Sequence, residues 1–157
     1  MSVDKDSRVV IRGDISLIET AVRERQVFLE SLEILHQTTN VLVLEACCKN
    51  TDWLSDWALD LGMATPSLEV YVEWTAEEVV GTYGVRDQEF VHRTEACFYL
   101  ETGELDFNTD AAIAADCSWA KAMSLLLKSL IPDRPNILID AYGSQLIKVS
   151  ASCSLTM

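Results

Sequence analysis

The amino-acid sequence predicts an α+β fold: a mostly antiparallel sheet of about five to seven strands with two long helices and one short helix. Three observations lead to this prediction. The length of 157 residues suits one domain, and no linker or repeat interrupts residues 1–157. Apolar residues form 49% of the chain, which is enough for a core. Their spacing changes along the chain between the three-to-four repeat of helices and the two-residue repeat of strands.

The first half of the chain predicts the order strand, helix, strand, helix. Residues 9–11 form a short apolar strand, and residues 15–37 carry apolar side chains at helical spacing. Residues 41–48 are almost continuously apolar, which is typical of a central strand. Residues 52–61 fit a short helix that ends before Gly62.

The middle of the chain predicts a three-stranded meander. Apolar and polar residues alternate over 68–75, so we expect a half-buried strand with an acidic outer face. Residues 78–86 and 89–100 supply the next two strands, with a turn at 86–88.

The last third predicts a helix and a hairpin. The helix begins at Thr109 or Asp110 and ends near Leu130, and residues 136–142 and 145–153 form the hairpin. The complete order, β-α-β-α-β-β-β-α-β-β, is accommodated by an antiparallel sheet with helices packed on one face. We predict a ferredoxin-like core as the preferred version.

The net charge of −13 is unevenly distributed. Between Lys49 and Arg86 the chain has seven acidic residues and no basic one, and between Arg93 and Lys121 it has six and none. Seven plus six equals the whole excess of thirteen. Such a charge favours encounter with basic surfaces and opposes contact with phosphate backbones. We therefore expect a basic protein partner and no direct nucleic-acid binding.

Part of the acidic excess forms a predicted partner-binding ridge. Asp52, Asp56 and Asp60 recur every four residues, so they share one side of the short helix. Like charges at this spacing destabilise a helix by about 0.2–0.5 kcal/mol per pair. Either arginines from elsewhere, such as Arg23, Arg25 or Arg93, neutralise the row, or the row faces a basic partner.

The acidic ridge is predicted to continue onto the following strand and its end. Its full membership is Asp52, Asp56, Asp60, Glu69, Glu73, Glu77 and Glu78, with Trp53, Trp57 and Tyr71 as aromatic anchors beside it. Glu69 and Glu73 are about 13 Å apart along one strand face, too far for a pair of glycosidase carboxylates.

No catalytic, metal or cofactor site is predicted. Asp106–Asp110 opens like a calcium loop, but Ala111 and Cys117 replace the required glycine and glutamate. Two histidines without a C-x-x-C pair do not make a zinc site. Gly81 and Gly84 lack basic neighbours, so we interpret them as marking a bulge or a close approach of the backbone.

The sequence also predicts a compartment. No apolar run reaches the ~18 residues of a membrane span, so we expect no membrane contact. The N-terminus lacks the apolar stretch of a signal peptide. The five cysteines are an odd number without framework spacing, which suits reduced thiols in the cytoplasm.

Two functions from different classes follow. The preferred one is a non-enzymatic acidic interaction protein, an inhibitor or immunity-type neutraliser of a basic, nucleic-acid-handling protein. The alternative is a small enzyme or ligand-binding domain whose site combines residues distant in sequence, such as Tyr83, His92 and Tyr99 with one acid. A homodimer formed through the sheet edge at 146–149 is a further possibility.

Overall fold

The structure, a computed structural model, describes residues 6–49, 53–75, 79–99, 104–107, 113–114 and 117–133. In these ranges the chain forms eight antiparallel strands and three α-helices, which confirms the α+β class. In chain order, the elements are β1 Asp6–Arg12, α1 Ile15–Arg25, a 3-10 turn Gln26–Phe28, β2 Leu29–Gln37, β3 Val41–Cys48, α2 Leu54–Ala64, β4 Glu69–Thr75, β5 Val79–Arg86, β6 Glu89–Tyr99, β7 Glu104–Phe107, β8 Ile113–Ala114 and α3 Cys117–Leu130.

The strands form one sheet in the order β2-β3-β1-β4-β5-β6-β7, and the short β8 pairs with β6 beside β7. Because β3 lies between β1 and β2, the segment β1-α1-β2 is a split β-α-β unit. The ferredoxin-like core itself stays a prediction.

Helices cover both faces of the sheet. On the first, the α1/α2 face, side chains such as Val9, Leu44 and Val72 share one core with side chains of both helices. On the second, the α3 face, Val10 and Val43 share a separate core with α3. The expectation that all helices pack on one face is therefore wrong for α3.

The helix predicted over residues 15–37 ends at Arg25, and β2 follows it. Leu29 and Leu32 are three residues apart, yet they pair with Cys48 and Ala46, which both contribute to the core on the α1/α2 face. A register shift after Leu29 inserts one extra residue, which lets the two leucines share a face. This bulge produces the three-residue spacing that resembles a helix.

The meander is confirmed, with a tight turn between β5 and β6. Asp87 and Gln88 both have positive φ, as a two-residue hairpin of this type requires. The predicted acidic outer face of β4 is wrong, because α3 covers it and Tyr71 and Glu73 are both fully buried. The strand is therefore not half-buried, because helices cover both of its faces.

The remaining boundaries shift by several residues. The short helix begins at Leu54 with Trp53 as N-cap and passes through Gly62 to Ala64. The last helix begins at Cys117, since Ile113 and Ala114 form β8. The final hairpin, the edge strand at 146–149 and residues 108–110 lie outside the described residues.

Candidate functional site

Two tryptophans lie against the two glycines of β5, one on each face of the sheet. A Cβ atom at Gly81 would be 2.7 Å from the Trp74 ring, and one at Gly84 would overlap the Trp119 ring. The pairing of β5 with β6 also shifts register after Gly84. Close approach, one of the two interpretations of these glycines, is thus confirmed at both, with a tryptophan ring as the neighbouring group. A register shift accompanies Gly84 only.

Beside Trp74, the α1/α2 face opens into a cleft at the N-terminal end of α2. Its volume is about 360 Å³. We call it the aromatic cleft, and its lining residues are Trp53, Ser55, Asp56, Trp74, Val79, Tyr83, Arg93 and Glu95.

Strand register explains how residues distant in sequence meet here. Trp74, Gly81 and Glu95 stand opposite one another on β4, β5 and β6. Tyr83 and Arg93 form the adjacent pair, two residues along each strand. Since side chains two apart share a face, all four non-glycine side chains point to the α1/α2 face. The first turn of α2 closes the other side.

Three aromatic rings line the aromatic cleft in edge-to-face contact. The centroids of Trp53 and Trp74 are 5.3 Å apart with ring planes at 68°, and those of Trp74 and Tyr83 are 5.7 Å apart at 74°. Tyr83 also meets Phe90 edge to face at 6.4 Å. Such pairs favour fixed ring orientations, so the walls of the aromatic cleft are held by their own neighbours.

Arg93 and Glu95 add a charged pair to the lining, and Tyr83 is hydrogen-bonded to it. Arg93 Nη2 donates to Glu95 Oε1 at 3.0 Å, and its guanidinium lies 5.3 Å from the centroid of the Tyr83 ring. The Tyr83 hydroxyl donates to the same Glu95 oxygen. Burial and the nearby Glu95 carboxylate raise the pKa of Tyr83 well above its usual value. Tyr83 therefore acts as a hydrogen-bond donor and not as a base.

A second cluster of polar side chains is buried on the α3 face. The Glu73 carboxylate accepts hydrogen bonds from the Tyr71 hydroxyl at 2.8 Å and from Ser124 Oγ at 2.6 Å. Arg8 stands opposite Glu73 in the sheet, and its Nε lies 3.3 Å from Glu45 Oε2. Ser124 belongs to α3, so this cluster fastens the helix to the sheet.

His92 and Thr82 extend the buried cluster across β5 and β6. The His92 Nε2 and Thr82 Oγ1 atoms are 2.6 Å apart. Burial lowers the pKa of His92 to about 4, so the ring is neutral near neutral pH. Its Nδ1 has no hydrogen-bond partner among the described residues. Perturbed titratable groups can mark an active site, but α3 covers this cluster.

The structure distributes the predicted acidic ridge over two faces. Asp56 lines the aromatic cleft, and Asp60, on the same helix, pairs with Arg25 at 3.1 Å. The neutralisation of this row by an arginine from elsewhere is therefore confirmed for Asp60. Asp52, Glu77 and Glu78 lie outside the described residues.

The strand members of the acidic ridge lie on the opposite face. Glu69 binds Arg12 Nε at 2.7 Å and accepts a hydrogen bond from Trp119 Nε1 at 3.2 Å, while Glu73 is buried. The structure therefore does not bring Glu69 and Glu73 together with Asp56 and Asp60.

The predicted aromatic anchors are also separated. Tyr71 is fully buried on the α3 face. Trp57 is 7% exposed, and its Nε1 donates to the Arg25 carbonyl oxygen at 3.0 Å. Both are interior side chains in this structure, while Trp53 lines the aromatic cleft.

The residues suggested for a distributed ligand site are divided as well. Tyr83 lines the aromatic cleft, whereas His92 points to the α3 face. The side chain of Tyr99 lies outside the described residues. The sequence predicts Asp56 as a member of the partner-binding ridge and Arg93 as one possible partner of that row, and it does not connect Trp74 or Glu95 with a site.

No protein-family model, curated protein or solved structure matches the chain. None of the described helices is long and apolar enough to cross a membrane. In the same part of the chain, no three His, Cys, Asp or Glu side chains are grouped to hold a metal ion.

Proposed function

We propose that this protein is a small-molecule-binding domain and that the aromatic cleft holds the ligand. One observation carries the proposal: an open cleft of about 360 Å³ combines three fixed aromatic rings with a few convergent charged groups. Ligand sites have volumes of roughly 300–1,000 Å³ and this mixture of apolar walls and placed polar groups.

The chemistry of the lining supports binding more than catalysis. Tyr83 is held as a protonated donor, and one Glu95 oxygen is already engaged by both Tyr83 and Arg93. A general base needs free access to the proton that it removes. Groups engaged in this way are better suited to orienting a ligand.

The test is a panel of soluble ring-containing fragments, with binding followed by ligand-observed NMR and intrinsic tryptophan fluorescence. We expect at least one fragment to bind, and Trp53→Ala to weaken it about tenfold or more. The reason is that loss of one ring wall removes about 1.5 kcal/mol of apolar contact. Phe28→Ala, which removes an exposed ring outside the aromatic cleft, is the matched control.

Two results would contradict the proposal. One is that no fragment in the panel binds to the folded protein. The other is that every bound fragment keeps its affinity in Trp53→Ala, which would place the binding elsewhere on the molecule.

The acidic interaction protein stays a second hypothesis, because the net charge of −13 favours a basic protein partner. Its geometric support is smaller, since Asp60 and Glu69 are paired with arginines and Glu73 is buried. A pull-down at low salt that recovers a basic protein with the wild-type chain, but not with Asp56→Lys, would favour it.

A further inference from the structure

We infer that the ligand of the aromatic cleft is a neutral ring compound with a hydrogen-bond acceptor at its edge, such as a carbonyl oxygen, which binds the indole N–H of Trp74. This inference rests on the proposed function and specifies its ligand class. It follows from the hydrogen bonds of the buried tryptophans, from the position of the Trp74 ring and from the contacts of Glu95.

Three tryptophan side chains are buried, and they differ in how their indole N–H groups are satisfied. Trp57 Nε1 donates to the Arg25 carbonyl oxygen at 3.0 Å, and Trp119 Nε1 donates to Glu69 Oε1 at 3.2 Å. Trp74 is only 3% exposed, yet its Nε1 has no hydrogen-bond partner among the described residues. A buried indole N–H usually finds a partner, so this donor sets Trp74 apart from the other two.

The unpartnered N–H belongs to a wall of the aromatic cleft. The Trp74 ring lines this cleft, and the ring edge that carries Nε1 lies over Gly81, where a Cβ atom would be 2.8 Å from Nε1. Gly81 has no side chain that could accept a hydrogen bond, and the residue opposite it on β6 is Glu95. The donor therefore lies on the face of the sheet where the aromatic cleft opens, between the cleft residues of β4 and β6.

Glu95 lines the same cleft, but its hydrogen bonds run in the other direction. Its Oε1 accepts from the Tyr83 hydroxyl and from Arg93 Nη2, the pair that stands two residues along β5 and β6. The carboxylate is thereby held toward Tyr83 and Arg93, and it does not accept from the Trp74 N–H. The acceptor for that N–H is supplied by the ligand.

A buried donor makes an acceptor on the ligand favourable. An N–H group that has lost its hydration and is left unpaired destabilises the folded protein, and a ligand oxygen that pairs with it removes this cost. The acceptor is neutral, because a molecule with a net charge of −13 repels anions over distances comparable to the Debye length.

The test compares two ligands of nearly the same shape, acetophenone and α-methylstyrene, in which a methylene group replaces the carbonyl oxygen. Ligand-observed NMR on the full chain measures their dissociation constants with the wild type and with Trp74→Phe, which keeps an aromatic wall and removes the N–H. We expect this substitution to weaken acetophenone about fivefold more than α-methylstyrene, which is the contribution of one hydrogen bond. Each ligand is compared with itself, so the difference in their hydration cancels.

The matched control is Trp53→Phe, which reduces another ring wall of the aromatic cleft and leaves the Trp74 N–H in place. It should weaken both ligands by the same factor. Benzoate, whose acceptor is charged, should bind the wild type more weakly than acetophenone does.

A spectrum of the isotope-labelled wild type adds a measurement that needs no variant. Acetophenone should shift the indole N–H proton of Trp74 downfield, because a hydrogen bond forms there, whereas α-methylstyrene should not. The N–H protons of Trp57 and Trp119, which already have acceptors, serve as internal references.

The outcomes separate this inference from the proposed function. Equal losses of both ligands in Trp74→Phe, a loss selective for acetophenone in Trp53→Phe, or no downfield shift of the Trp74 N–H would overturn the acceptor while the small-molecule site stands. Failure of acetophenone to bind while fragments of the panel do, or tighter binding of benzoate, would overturn the ligand class in the same way. If neither these ligands nor the fragment panel binds, the proposed function itself fails.

Discussion

The two faces of the sheet use their polar residues in opposite ways. On the α3 face, charged and polar side chains such as Glu73, Thr82 and His92 are completely buried and held by internal hydrogen bonds. On the α1/α2 face the interior is apolar, and the polar groups gather at the open aromatic cleft. The difference shows that a polar cluster alone does not identify a binding site, since the more polar of the two faces is closed by a helix.

Strand β5 contributes to both faces of the sheet. β5 places Gly81 beneath Trp74 on one face and Gly84 beneath Trp119 on the other. Substitutions on each face should therefore separate effects on stability from effects on ligand binding.

The largest expected effect is that of Glu73→Ala on the α3 face. We expect a loss of about 3–5 kcal/mol in the free energy of unfolding, because Tyr71 and Ser124 lose their acceptor and the buried Arg8 loses a nearby opposite charge. Urea denaturation measures it. Glu95→Ala, at the partly exposed aromatic cleft, is the comparison and should cost about 1 kcal/mol or less. An equal loss of stability in the two variants would mean that the buried carboxylate on the α3 face is no more important to the fold than the one at the aromatic cleft.

The next largest effect is the pH dependence that His92 imposes. Because its pKa in the folded state is about 4, below the usual 6.5, the unfolded chain takes up the proton first. Stability should fall as the pH decreases from about 6.5 to 4, by about 3 kcal/mol in total from this group.

The His92 prediction is checked by urea denaturation between pH 7.5 and pH 4.5. His92→Gln should flatten the part of the curve that this residue causes. The control is His36→Gln, which changes the chain's other histidine, on β2. Stability that rises on acidification over this range would contradict the prediction.

The smallest effect distinguishes the two glycines. Gly84→Ala should destabilise the protein by about 1–3 kcal/mol through the clash with Trp119, while the surviving folded protein keeps its affinity for cleft ligands. Gly81→Ala displaces Trp74 and should weaken ligand binding severalfold at a similar or smaller cost in stability. Thermal denaturation and the fragment titration measure the two properties. A loss of binding in Gly84→Ala alone would contradict the assignment of the site.

Local periodicity was sufficient to predict the parts of the fold that follow a regular strand repeat or a known turn type. The alternation in β4 and the turn at Asp87 and Gln88 were sufficient to place the meander. The bulge in β2 was not visible in the sequence, since the spacing of Leu29 and Leu32 matches a helix as well as a bulged strand. Propensity cannot decide between the two without knowledge of the pairing partner.

The candidate site was less predictable because its parts come from four elements. On the opposite face, Glu73 was also difficult to place. It alternates with apolar residues as a surface residue would, and nothing local indicates that α3 covers it. Trp53 and Tyr83 were recognised separately, but their meeting with Glu95 depends on the register of β4, β5 and β6. Gly81 was the one signal for this site in the sequence, because a residue without a side chain in a strand leaves room for a large neighbour, here the Trp74 ring.

The irregularity of β2 has a consequence for how the molecule behaves in concentrated solution. This strand is an edge strand of the sheet, where unpaired backbone N–H and C=O groups could pair with a strand of another molecule. Its two register shifts break the regular repeat, and the exposed Glu30 and Glu33 add like charges that a second copy would have to approach. Both features disfavour aggregation through pairing of this edge strand with another molecule.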